Sequence, residues 1–134
     1  MREILFRGKR KDNGEWVEGD LLKYETGETA ILSGFSRYGF EATEICLRNK
    51  VIPETVCQFT GLTDKNNKRI FEGDIVNFYN GDGEYSPYEV RWQNSGFSVL
   101  MNGKPNLFDE LDDFFSSRCE VIGNVFDNPE LLEV

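Results

Sequence analysis

The chain has 134 residues, 39% of them hydrophobic, and 24 acidic against 15 basic side chains give it a net charge of −9. That length suits one ordinary domain or two small ones, and no apolar run approaches the roughly 20 residues of a membrane-spanning helix. There is no histidine, which removes the commonest general base and metal ligand at neutral pH.

Charges at Arg2, Glu3 and Arg7 break the N-terminus, so it does not read as a signal peptide and a soluble, non-secreted protein is expected. Ile4-Leu5-Phe6 reads as a strand, and Asn13-Gly14 as a turn able to take positive φ. Trp16-Val17 and Leu21 to Tyr24 carry β character on either side of Glu18-Gly19-Asp20. Thr29 to Leu32 and Ile45 to Ile52 are further strands, the latter limited by Pro53. Gln58 to Gly61 follows, then a turn at Asp64 to Asn67. Arg69-Ile70-Phe71 leads through Gly73-Asp74 into Ile75 to Tyr79. Asn80 to Pro87 is polar and Gly-rich, the composition of a hairpin tip. Tyr88 to Trp92 alternates, and Phe97 to Met101 is another strand. Leu107, Phe108, Leu111, Phe114 and Phe115 fall on one helical face, which predicts a short helix over 107–115 with Asn106 as N-cap. Cys119 to Val125 returns to strand, and Pro129 opens a final turn.

The order of these elements repeats. Phe6-Arg7-Gly8 precedes Glu18-Gly19-Asp20, as Phe59-Thr60-Gly61 precedes Glu72-Gly73-Asp74. Ser33-Gly34-Phe35-Ser36 recurs as Ser95-Gly96-Phe97-Ser98, and Cys57 to Gly61 is echoed by Cys119 to Gly123. The offset is 54 at the Gly-Asp pair (74 − 20) and 62 at the later matches (95 − 33 and 119 − 57), so one insertion of eight residues relates the copies, and Asn80 to Glu84 sits where it is needed. Ordered self-similarity of this kind points to an internal duplication. The expected architecture is mainly β: two SH3-like barrel repeats, 1–56 and 57–134, in one compact unit with a short C-terminal helix. Gly19 and Gly73, and Gly61 and Gly123, should occupy matching positions.

The twice-used Glu-Gly-Asp word has a backbone explanation. Glycine reaches φ values closed to other residues, and aspartate fixes turns by accepting nearby amides. Glu18, Gly19, Asp20, Glu72, Gly73 and Asp74 are therefore structural candidates. No phosphate-cradling loop, nucleophile elbow or EF-hand spacing occurs, and an enzyme is not expected. Cys46, Cys57 and Cys119 are an odd set without CxxC spacing, the mark of free thiols in a reducing compartment rather than a disulfide framework or zinc site. No metal or cofactor is implied.

Charge is uneven. Residues 1–56 hold nine basic and ten acidic side chains, −1 net; residues 57–134 hold six and fourteen, −8 net. An acidic half opposes coating of a nucleic-acid duplex. Arg7, Lys9, Arg10 and Lys11 form the one basic cluster, which also reads as a solvated hairpin edge. Lys9, Arg10 and Lys11, with Trp16 and Arg69, are the candidate ligand contacts if the protein binds nucleic acid. Trp16, Tyr24, Tyr79, Tyr85, Tyr88 and Trp92 lie on or beside strands, where aromatic side chains build cores or receive a peptide or base.

Gln58 to Asn66, continuing through Ile70 to Val76, resembles the YopX family of phage and prophage proteins. The ending Val121 to Leu132 is similar to that family's C-terminal signature, and Phe6 to Lys9 with Gly14 to Asp20 to its N-terminus. Asn67 stands where the family often has glycine; asparagine tolerates left-handed φ, so the turn should persist. The resemblance implies a mostly β fold with SH3-like elements, encoded by a phage or prophage and acting in the cytoplasm of a bacterial host. It implies no activity. The sequence therefore reads as a non-enzymatic interaction protein contacting another protein, with no membrane association. A nucleic-acid-binding small barrel and an acidic DNA mimic that occupies a host enzyme are the alternatives. Exposed sheet edges leave self-association open.

Overall fold

The computed structural model describes residues 4–32, 49–79, 85–93, 96–101 and 104–132. Antiparallel strands dominate them, and the chain divides into two compact units, Met1–Phe59 and Thr60–Val134.

In the first unit, β1 (Phe6–Lys9) and β2 (Trp16–Lys23) form a hairpin. Its turn is the expected one: Gly14 takes φ +72°, and Asn13 Oδ1 accepts the Glu15 amide at 2.9 Å. Next come β3 (Thr29–Leu32), the two-residue β4 (Lys50–Val51) and the start of β5 (Cys57–Thr63), in the order β4-β3-β2-β1-β5. β4 pairs with β3 and also meets the end of β1, where Ile52 N donates to Lys9 O at 2.8 Å and Lys11 N to Lys50 O at 2.9 Å. The sheet therefore curls back on itself, with Ala30, Ile31 and Val51 fully buried. Gly8 permits the approach, since a Cβ there would lie 3.0 Å from Val51. β1 thus has neighbours on both sides, which corrects the edge reading for Arg7 and Lys9, while Lys11 is exposed in the hairpin turn.

In the second unit, the later residues of β5 are neighboured by β6 (Arg69–Phe71). Asn67 takes φ +64° in the turn between them, so asparagine does keep the left-handed conformation. A five-stranded sheet follows, built from β7 (Asp74–Tyr79), β8 (Tyr85–Gln93), β9 (Gly96–Met101), β10 (Lys104–Glu110) and β11 (Cys119–Asn124), in the order β10-β9-β8-β7-β11. Val76 lies opposite Tyr88 and Val121, Val90 opposite Val99, and Cys119 opposite Phe78. Side chains alternate along a strand, so these residues share one face. Val76, Tyr88, Val90, Val99 and Cys119 join Ile70 and Phe115 in the buried core.

The helix is shorter and later than its periodicity predicts. Leu107 and Phe108 belong to β10, held to β9 through Lys104–Met101, Pro105–Leu100 and Glu110–Ser98 pairs with a register irregularity between them; their burial lies outside the described side chains. α1 spans only Asp113–Ser116. Its N-cap is Asp112, not Asn106: the Asp112 carboxylate accepts the Phe115 amide at 2.9 Å. Strand pairing outweighs a weak local helix preference. Consecutive helical residues point about 100° apart. Phe115 faces the sheet, stacked on Phe78 at 4.3 Å and edge-on to Tyr88 at 5.4 Å. Phe114, expected in the core, is 61% exposed and carries the Arg118 guanidinium 3.9 Å above its ring.

The two Glu-Gly-Asp words fold differently. Gly73 has φ +86°; its amide donates to Val90 O and its carbonyl accepts from Val125 N, both at 2.8 Å. Asp74 is buried and accepts the Phe71 amide at 2.8 Å. Gly19 does not take positive φ and continues β2 opposite Phe6, with Asp20 exposed. The flanking residues supply the reason. Around Gly73 the buried Asp74 carboxylate accepts the Phe71 amide and Gly73 itself bonds Val90 and Val125, which holds the chain in a turn between two buried pairs, Ile70-Phe71 and Ile75-Val76. β2 is half-exposed along its length and runs straight through. Gly61 takes φ +90°, whereas Gly123 does not take positive φ, and the last strands choose different neighbours: β5 pairs with β1, β11 with β7. The expected matches of Gly19 with Gly73 and of Gly61 with Gly123 are therefore not realised in the backbone. Ser33 to Ser36, Cys46 and the insertion at Asn80 to Glu84 lie outside the described residues.

Phe115→Ala should cost about 3–5 kcal/mol, as for other buried phenylalanines, whereas Phe114→Ala should cost under about 1 kcal/mol. Urea denaturation of the two variants checks this; equal losses would contradict the division of the helix face.

Candidate functional site

In the first unit, β1 and β2 bring basic and aromatic side chains to one face. Lys9 lies directly opposite Trp16, and Arg7 opposite Glu18. The Arg7 guanidinium sits 4.8 Å from the Trp16 ring centroid and Lys9 Nζ 5.7 Å from it. The indole is thus flanked by two cations, each in cation–π range. Arg10 is turned to Asp12 at 2.7 Å. Lys11 is exposed, and neighbouring Lys50 holds Glu28 at 2.8 Å, a hydrogen bond that lowers the Glu28 carboxyl below its ordinary value. Of the ligand contacts expected from sequence, Lys9 and Trp16 come together, with Arg7 added. Arg69 belongs to β6 of the second unit, exposed to solvent. Glu18 and Asp20 are exposed on β2, and Glu72 is half-buried.

In the second unit, Asp64 organises the turn after β5. Its Oδ1 accepts the amides of Asn66 at 2.8 Å and Lys68 at 2.9 Å, and its Oδ2 accepts Val121 N of β11 at 2.9 Å. The Lys65 amide donates to Cys119 O at 3.0 Å. These bonds fix Lys65 at the start of β11. Its ammonium lies 5.9 Å from the Tyr85 ring centroid and 3.9 Å from the Glu120 carboxylate. Tyr85 pairs with Tyr79 where β7 and β8 end, ring centroids 5.1 Å apart. Tyr79 is 43% and Tyr85 55% exposed, so the pair forms an aromatic corner open to solvent. Trp92 is also exposed, lying edge-on to Phe97 at 4.8 Å. Most of the strand aromatic residues are expected in the core; Tyr88 is there, whereas Tyr79, Tyr85 and Trp92 are exposed. The strand register that sets Tyr79 against Tyr85 is the signal that pairs them.

An open cleft of about 460 Å³ lies beside the turn, lined by Gly61, Asp64, Lys65, Asn67, Asp113 and Ser116 among others. Its buried carboxylate is already committed to backbone amides. Among the described residues no group of three or more histidine, cysteine or acidic side chains is arranged to hold a metal, and no helix is long and apolar enough to cross a membrane. Cys57 and Cys119 are buried, their Sγ atoms donating to the carbonyls of Thr55 at 3.2 Å and Ser116 at 3.5 Å. Burial, with Asp64 nearby, pushes the Cys119 thiol up to about 12. A thiol so placed is not a nucleophile at neutral pH.

The strand content and antiparallel sheets define a mainly β protein with its aromatic surface on a hairpin end. The crystal structure of protein EF1440 from Enterococcus faecalis is similar over 98% of this chain and 99% of its own, with a TM-score of 0.63 and 23% identity, a likeness of fold. The family model described as YopX protein matches residues 5–133, and the chain belongs to the YopX family. No curated protein matches it.

Asp64→Ala should lower stability by about 2–4 kcal/mol, because three amides lose an acceptor; Asp64→Asn should cost less, since its one oxygen still serves Asn66 and Lys68. Chemical denaturation of both variants checks the order. The Cys119 thiol gives a pH signature. Its folded value is raised, so its contribution is complete below its ordinary value of 9.0 and is lost as pH rises toward about 12. The stability difference between the parent and Cys119→Ala should shrink across that window, by at most about 1.4 kcal/mol per pH unit; a constant difference would show that the thiol is not desolvated.

Proposed function

We propose that this YopX-family chain is a phage- or prophage-encoded, non-enzymatic interaction protein of the bacterial cytoplasm, and that it contacts another protein through the Tyr79–Tyr85 corner. The supporting observation is the exposure of two adjacent tyrosines on a hairpin end whose backbone is held by strand pairing. Rigid aromatic side chains lose little entropy on docking and are enriched in interface hot spots. The same reading treats the two units as diverged copies of one SH3-like ancestor, for which the ordered sequence matches speak. Nucleic-acid binding is the second reading, favoured by the two cations on Trp16.

The test is affinity capture from bacterial lysate with the parent and a Tyr79→Ala/Tyr85→Ala variant of unchanged melting temperature. A captured protein should be lost with the variant. Retention on both would remove the tyrosine corner as the docking face. Binding of labelled single-stranded or duplex nucleic acid at about 50 mM salt, falling steeply as salt rises, would favour the Trp16 face instead.

A further inference from the structure

We infer that the tyrosine corner recognises a lysine or arginine side chain on a cationic protein segment, and that Lys65 occupies that position in the free protein. The inference rests on the docking reading above and names the partner's chemistry. Three observations carry it. First, the Tyr85 ring already holds an ammonium in cation–π range, with Glu120 as its counter-charge at 3.9 Å. The corner therefore has the chemistry of a cation site, filled from within the chain. Second, the occupant is loosely held. Lys65 is 39% exposed, and its 3.9 Å separation from Glu120 is at the outer limit of an ion pair. Surface pairs of this length contribute little. The Lys65 backbone is fixed by its bond to Cys119 O, so its side chain can swing aside without moving the turn. Third, the surroundings favour a cationic visitor. Residues 60–134 carry six basic and fourteen acidic side chains, −8 net, against −1 for residues 1–59. A partner guanidinium or ammonium would displace Lys65, take the ring face of Tyr85 and meet Glu120, with Tyr79 extending the apolar contact. The long-range field of the acidic unit would speed the encounter.

The probe is a labelled octalysine peptide, with octaglutamate as control, titrated against the full chain. Lys65→Gln empties the site and should raise octalysine affinity by about 2- to 5-fold, the scale of an exposed cation–π contact. Lys68→Gln removes the same charge from the same turn and should raise it less. Tyr85→Leu keeps charge and apolar area but removes the aromatic ring, and should lower affinity by a similar factor; circular dichroism establishes that it folds. Equal effects of Lys65→Gln and Lys68→Gln, or a Tyr85→Leu protein that binds octalysine as the parent does, would overturn the inference. If that result came while the double tyrosine variant still lost its lysate partner, the docking face would stand and its partner would not be recognised by a cation. Loss of neither would overturn both.

Discussion

The second unit depends on the carboxylate of Asp64. It sits in the turn after β5, yet one of its oxygens accepts an amide of β11, fifty-seven residues later in the chain. The other oxygen closes the local turn through Asn66 and Lys68. One side chain thus joins the local chain reversal to the closing strand of the sheet. Three backbone amides converge on this carboxylate, and leaving such donors without an acceptor is costly. The joint has two consequences. It brings β11 to its place beside β7, with Cys119 buried against the core and its thiol silenced by burial. It also sets Lys65 where its side chain reaches the tyrosine corner.

Local turn chemistry was legible in the sequence where one residue type has one mechanism. Asn13-Gly14 and the Asp64 to Asn67 turn form as their residues dictate, with positive φ at Gly14 and Asn67. The β character was legible too, because alternation along Tyr88 to Trp92 is a property of the strand itself. What could not be read locally was context. The same Glu-Gly-Asp word is a turn at Gly73 and plain strand at Gly19: Asp74 is buried on the Phe71 amide, whereas Gly19 has a strand partner in Phe6 and Asp20 faces solvent. Likewise Leu107 to Phe115 carries a helical period but is split between β10 and α1, because β9 pairs on both sides of Leu107 and Phe108, at Pro105 and at Glu110-Leu111. Periodicity records which residues are apolar; it does not record which backbone groups have a strand within reach.

The candidate site shows the same division. Basic residues near Trp16 were visible in the sequence as a cluster, and the hairpin register turns Lys9 and Arg7 onto the indole while Arg10 turns away to Asp12. Cations that lie against an aromatic ring or a carboxylate of their own chain have less to offer a phosphate, since displacing the internal partner offsets part of the gain. The tyrosine corner was hidden for the opposite reason. Tyr79 and Tyr85 flank a polar segment, and only strand pairing shows that they are cross-strand neighbours.

Internal partners also separate the two faces physically. At Trp16 the chain has placed cations on an aromatic ring in the half whose net charge is near zero, so an anionic visitor gains little from the wider field. At Tyr85 the chain has placed one loosely held cation on a ring in the half that carries −8. There the local contact and the long-range field favour the same sign of visitor. Specificity follows when contact and field agree, because a partner of the wrong charge is repelled before it reaches the ring. That agreement distinguishes the tyrosine corner from the exposed Phe114 and Trp92. Phe114 has its ring face covered at 3.9 Å by Arg118, and that guanidinium also donates to the Phe114 carbonyl at 3.0 Å. Trp92 leans on Phe97. Of Tyr85, Phe114 and Trp92, only Tyr85 combines an exposed ring with an occupant that is itself exposed and whose carboxylate partner lies at 3.9 Å.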